Sequence, residues 1–263
     1  MRGVITAGML MLSVSAPWSV CAQTRPAPAA AAADAVQGAA EPAEHGAAVQ
    51  FVRDVGGDYK HFISWSTARW LGVGTLATLA IYPADDEIRD ATQGEQVSLL
   101  SASAGQTYGN LSLQVPLALA WWIGGHAVGS TRAAETGRDL MRAQISAVSW
   151  TYAVKYSVNR TRPNGDPRGF PSGHASSAFA TAMVIQEHYG WKLGVPFFAI
   201  ATYTAASRII DNRHWASDVV MGAFLGMTSG RTVTVRMRGR PAVISPLAVP
   251  GGGGVTVSMS VVE

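Results

Sequence analysis

Lys155, Arg162, His174, Arg208, His214 and Asp218 stand in three short runs that together could handle a phosphate ester. The first run is Lys155 through Arg162-Pro163, the second Pro171-Ser172-Gly173-His174, and the third Ser207-Arg208 through His214 to Asp218. Lys155, Arg162 and Arg208 are cations for the equatorial oxygens; an arginine can grip two oxygens as a fork, while a lysine acts as a point charge. His214 and Asp218 are four apart, so on a helix the carboxylate lies behind the imidazole and fixes its tautomer. Such an oriented imidazole can attack phosphorus and form a phosphohistidine. His174 can then protonate the leaving alkoxide and afterwards activate water. Ser172 and Gly173 precede an apolar run, where a helix N-terminus offers free N–H groups to an anion and Gly173 lets the backbone come close. Ser172 alone would also serve as an ordinary helix cap. The fixed cations do the electrostatic work, so this reading assigns no metal and no cofactor.

Helices must carry these groups to one place. Met141, Ile145, Val148 and Tyr152 recur at helical spacing, and continuing that stripe lands on Lys155. Phe197, Ala201 and Thr204 share a second face whose next member is Arg208. Either cation alone would fit a core ion pair or a snorkelling side chain. Two helices each ending an inward face in a cation favour a shared anion. The acidic run Asp85-Asp86-Glu87 reads as a solvated helix end, because no histidine or further carboxylate stands at metal-ligand spacing. His126 reads as a hydrogen-bonded core histidine.

Composition bounds the remainder. The chain has 263 residues, 48% of them hydrophobic and 14% charged, which suffices for one sizeable core. A net charge of +3, without a basic stripe interleaved with aromatics, excludes a general nucleic-acid surface. Arg2, the apolar run Val4 to Ala16 and Val20-Cys21-Ala22 form an export leader over residues 1–22. Cys21, the sole cysteine, would leave with it. Residues 23–50, rich in Ala and Pro, read as a disordered tether. A catalytic domain is expected over 51–231. The tail 232–263 alternates at Val255, Val257, Met259 and Val261 behind a glycine run, which reads as a short hairpin. Leu111 to Val128 fits either a bilayer span or a buried helix.

The three runs, complete and in order, resemble the type 2 phosphatidic acid phosphatase family, which shares its site with class A acid phosphatases and vanadium haloperoxidases. The family pattern is Lys-x6-Arg-Pro, Pro-Ser-Gly-His and Ser-Arg-x5-His-x3-Asp, and the resemblance covers roughly Trp65 to Arg231. It implies an all-α helical bundle with the site at helix ends, here followed by a short β-like tail. It also implies catalytic roles for His214, His174 and Asp218, and phosphate binding by Lys155, Arg162, Ser172, Gly173 and Arg208. The expected protein is an exported phosphatase of the periplasm or envelope, soluble or membrane-associated. Its substrate would be a phosphorylated small molecule, a lipid phosphate or a pyrophosphate, with peripheral membrane contact. A vanadium haloperoxidase using the same cage is the rival enzyme, although such chains are usually much longer. A non-catalytic envelope protein is the second rival, and the intact motifs argue against it.

Overall fold

The computed structural model describes residues 43–93, 102–238, 243–249 and 252–258. The expected leader and residues 23–42 of the tether lie outside them. Helix α1 runs Ala43–Phe62. Residues 43–50, expected to belong to the tether, are therefore helical. The reason lies further along the helix, where Asp54 pairs with Arg138 and Asp58 takes both Nε and Nη2 of the buried Arg142. Those long-range ion pairs hold an alanine-containing segment whose own composition carries no packing signal.

The chain continues through α2 (Trp65–Ile81), a 3-10 turn (Tyr82–Ala84), α3 (Asp85–Thr92), α4 (Ala102–Gly109) and α5 (Leu111–Ala127). Then come α6 (Thr131–Val158), α7 (Gly173–Tyr189), α8 (Trp191–Ile210) and α9 (Ala216–Arg238). Polar caps start several helices: the side chains of Ser64, Asn110, Ser130 and Ser172 accept from the N–H groups of Thr67, Ser112, Ala133 and Ala175. Asn159, with φ 48°, ends α6 in the left-handed conformation, and Gly190, with φ 78°, separates α7 from α8. The tail forms an antiparallel pair, β1 (Val243–Val249) with β2 (Gly252–Ser258), in register from Val243 opposite Ser258 to Val249 opposite Gly252.

Helix α7 is central and packs against α6, α8 and α9. Its buried side chains are mostly small: Ala175, Ala178, Ala180 and Ala182 are fully enclosed. Several polar groups between the helices are satisfied internally. Gln144 Nε2 donates to Thr181 Oγ1 at 2.9 Å, Ser177 Oγ to Gln144 Oε1 at 2.6 Å, and Thr181 Oγ1 to Gln114 Oε1 at 2.6 Å. This network ties α5, α6 and α7 together.

The buried face of α6 is rotated from the expected stripe. Leu140, Ala143, Ala147, Thr151 and Lys155 are buried, whereas Ile145 and Val148 are half-buried and Tyr152 is exposed. Small and polar residues face inward because α6 approaches its neighbours closely. Large apolar residues face outward here and on other helices, including Leu76 and Leu79 of α2, Ile123 of α5, and Trp191 and Val195 of α8. Among the described residues, α8 is the helix long and apolar enough to cross a membrane by length and composition. His126 is also exposed rather than in the core; it sits at the end of α5 and accepts from Trp122 Nε1 at 3.1 Å.

Candidate active site

The site forms where α6 ends, α7 begins, and two loops fold over them. After Asn159 the chain turns back on itself. Arg162 N–H donates to the Asp166 carbonyl at 2.8 Å, and Gly169 N–H donates to the Arg160 carbonyl at 2.7 Å. A β-carbon on Gly169 would lie 2.9 Å from Cγ of Arg162 and 3.1 Å from Oδ2 of Asp218, so the tight return requires glycine. Lys155 Nζ donates to the carbonyls of Arg168 and Gly169 at 2.9 and 3.2 Å, which fixes the ammonium at the edge of this loop.

On the other side, the loop after α8 delivers His214. Its N–H reaches the Arg208 carbonyl at 3.2 Å. His214 and Asp218 do meet, Nδ1 lying 3.4 Å from Oδ2, but His214 stands in the loop before α9 rather than on the helix with Asp218. The same Oδ2 accepts from Trp215 N–H at 3.1 Å, so Asp218 also caps the start of α9. Both residues are buried. With Nδ1 turned to the carboxylate, Nε2 is the nitrogen left to react.

A cavity of about 200 Å³ is lined by Lys155, Arg162, Gly173, His174 and His214, with Thr151, Val148, Tyr152 and Leu111 extending its wall. Two buried polar atoms at this cavity, Arg162 Nε and His174 Nε2, have no hydrogen-bond partner among the described residues. Arg162 Nε is a donor, and His174 Nε2 donates or accepts according to its tautomer, so both could serve a ligand oxygen. Ser172 is fully buried; its Oγ caps α7 and its N–H donates to the Asp218 carbonyl at 2.9 Å. Gly173 lies on the cavity wall with open space beside it, its nearest prospective β-carbon neighbour being Thr151 Cγ2 at 3.7 Å. Arg208 is buried outside the lining residues, near His174, and pairs with Asp211 while donating to Ser207 Oγ at 3.3 Å.

Buried cationic and titratable groups crowd the cavity and shift one another. Burial, then the charges of Arg208, His214, Lys155 and Arg162, push the His174 imidazole down to about 4. Burial and neighbouring Arg162 lower the Lys155 ammonium to about 8, against the pull of Asp218. Burial lowers His214 as well, although the Asp218 hydrogen bond opposes it. A dianion in the cavity would oppose these shifts, because it favours the protonated form of each group.

Two residues at this site escaped the reading of the sequence. Asp85 is not solvated: it is buried, and Oδ1 accepts from the Ser217 N–H at 2.9 Å. Its other oxygen takes Ser217 Oγ and, at 2.8 Å, Nη2 of Arg160. Arg160 in turn reaches Asp218 Oδ1 at 2.9 Å. Asp85 stands far from both partners in the sequence, so no local pattern revealed it.

Comparison with known proteins gives the same picture. Residues 139–241 match the model of the PAP2 superfamily. The lipid A 1-phosphatase of Porphyromonas gingivalis is 44% identical over 82 residues, covering 30% of this chain and 18% of that protein. The lipid A 4'-phosphatase of Helicobacter pylori is 33% identical over 79 residues, covering 30% of this chain and 40% of that protein. The chain thus spans less than half the length of these relatives. In fold, the transmembrane PAP2 type phosphatidylglycerolphosphate phosphatase of Bacillus subtilis superposes with a TM-score of 0.56 at 16% identity, covering 66% of this chain and 97% of that one. Residues 139–241, which carry Lys155, Arg162, His174, Arg208, His214 and Asp218, are thus similar to the PAP2 superfamily.

Proposed function

We propose that the chain is a phosphatase of the cell envelope that releases inorganic phosphate from a lipid phosphate monoester through a phosphohistidine on His214. The observation that carries this reading is the cavity in which Lys155, Arg162, His174 and His214 converge while Arg162 Nε and His174 Nε2 lack partners. In the first step His214 Nε2 bonds to phosphorus and the P–O ester bond breaks. The departing oxygen takes a proton from His174, whose proton affinity rises when the dianion enters. In the second step His174 removes a proton from water, the water oxygen bonds to phosphorus, and the P–N bond breaks. Lys155 and Arg162 hold the equatorial oxygens in both steps, with Arg208 adding positive charge behind His174. Asp218 keeps the tautomer of His214.

A lipid substrate is favoured over a soluble one on two grounds. The matched relatives are named for lipid A. The cavity wall runs from the cations towards Val148, Leu111 and the exposed Tyr152, and the outward faces of α2, α5 and α8 are apolar, which suits contact with lipid. Large side chains outside and small ones inside are the arrangement expected where the surrounding solvent is hydrocarbon.

The test is phosphate release by the purified full chain in detergent, measured on lipid A, phosphatidate and an aryl phosphate. Turnover of a lipid phosphate at least ~10-fold more efficient than that of the aryl ester is expected, because remote binding energy is used in the transition state. Preference for the aryl ester overturns the lipid assignment. Halide oxidation with vanadate and peroxide that outruns phosphate release overturns the hydrolase assignment.

A further inference from the structure

We propose that Asp85 is a positioning residue for the reaction, acting on the nucleophile through Arg160, Ser217 and Asp218. The proposal rests on the phosphatase reading above. Arg160 lies half-buried between two carboxylates and two aromatic rings. Asp85 Oδ2 meets its Nη2 at 2.8 Å, and Asp218 Oδ1 meets its Nη1 at 2.9 Å. Ser217 Oγ accepts from Nη1 at 2.6 Å. The rings of Tyr82 and Trp215 lie 4.7 and 5.3 Å from the guanidinium carbon. With its terminal nitrogens occupied in this way, Arg160 serves the carboxylates, whereas Arg162 keeps an unpartnered Nε at the cavity.

The geometry divides the labour of Asp218 between its oxygens. Oδ1 belongs to Arg160, and Oδ2 faces His214 Nδ1 and the Trp215 N–H. A lone carboxylate could rotate about its terminal torsion; one held by a doubly anchored arginine cannot do so freely. Asp85 is the far anchor, and its second oxygen pins the Ser217 N–H within the first turn of α9. It also supplies charge. Without Asp85, Arg160 would offset Asp218, and the imidazole would lose much of the negative partner that stabilises its developing positive charge. The other charged groups around His214 are Lys155 of α6, Arg162 of the loop, His174 of α7 and Arg208 of α8, all of them cationic or titratable.

The experiment compares Asp85→Asn, Arg160→Gln and wild type in full-length protein on one phosphate ester, with inorganic phosphate as competitive inhibitor. Asp85→Asn is expected to lower kcat ~10- to 100-fold through misplacement of the nucleophile. Phosphate inhibition should stay within about threefold, since the anion-holding groups are untouched. The acidic limb of the pH–rate profile should move to lower pH in Asp85→Asn, which loses a negative charge, and to higher pH in Arg160→Gln, which loses a positive one. Wild-type kcat in Asp85→Asn, equal losses of kcat and phosphate affinity, or limbs that move in the same direction overturn the proposal. Ser217→Ala keeps the two Asp85–backbone and Asp85–Arg160 bonds and carries the test if Asp85→Asn does not fold. It should lower kcat severalfold with phosphate inhibition unchanged, and an unaltered kcat there overturns the role. A wild-type protein that releases no phosphate instead overturns the phosphatase reading, a separate and recognisable outcome.

Discussion

A β-carbon placed on Gly226 would lie 2.1 Å from the carbonyl oxygen of Ser176. Helix α9 thus touches the backbone of α7 directly, and it does so three times. Gly222 stands one turn earlier, 2.5 Å by the same measure from the Ser172 carbonyl, and Gly230 one turn later, 2.7 Å from that of Ala180. The ridge of glycines on α9 sets the depth at which Asp218 sits beneath the start of α7, where Ser172 donates to its carbonyl. Gly226→Ala must push two backbones apart. It is expected to cost ~1–3 kcal/mol, the usual range for overpacking a tight contact. Thermal unfolding in detergent measures it, and an unchanged midpoint would mean that the two helices are not in backbone contact.

His214 and His174 have separable roles. His214→Ala should abolish labelled phosphoenzyme on rapid acid quench, because it removes the atom that bonds to phosphorus. His174→Ala should leave label detectable with a good leaving group, and the label should persist, because both leaving-group protonation and water activation are impaired. Equal labelling in the two variants would reverse the assignment.

Local spacing made much of this site legible. The meeting of His214 with Asp218 follows their four-residue spacing, although His214 stands in the loop before α9, and the cap at Ser172 follows from a serine before an apolar run. The inward face of α6 is less legible, because hydrophobic spacing does not mark burial on it. In this bundle the buried positions are Ala143, Ala147 and Thr151, while Tyr152 points away. Asp85 was illegible for another reason. A carboxylate beside Asp86 and Glu87 looks solvated until Ser217 and Arg160 arrive from distant parts of the chain.

Fixed cations rather than a metal are proposed to hold the phosphoryl group, since Lys155 and Arg162 line the cavity. Phosphate release should therefore survive a chelator such as EDTA. Vanadate, which can take five oxygens around its centre, should inhibit at concentrations well below inorganic phosphate by resembling the transition state. Loss of activity on chelation, restored by an added divalent ion, would remove the metal-free mechanism.

Lys155 predicts a pH dependence with a definite sign. Its ammonium is lowered to about 8 by burial and by Arg162, so the free enzyme carries that charge below pH 8 and loses it above. Inorganic phosphate gains its second charge near neutrality, so the inhibition constants are compared as those of the dianion. The inhibition constant for phosphate should be nearly flat from pH 7 to the inflection and then rise towards ~10-fold per pH unit, since the anion binds best to the protonated lysine. Lys155→Arg keeps a cation whose charge does not titrate in this range, so its curve should stay flat to higher pH. Lys155→Met should bind phosphate weakly throughout, with no inflection near 8. If wild type and Lys155→Met share the same pH curve, the lysine does not face the anion, and Arg162 alone of the first motif run is left to hold phosphate.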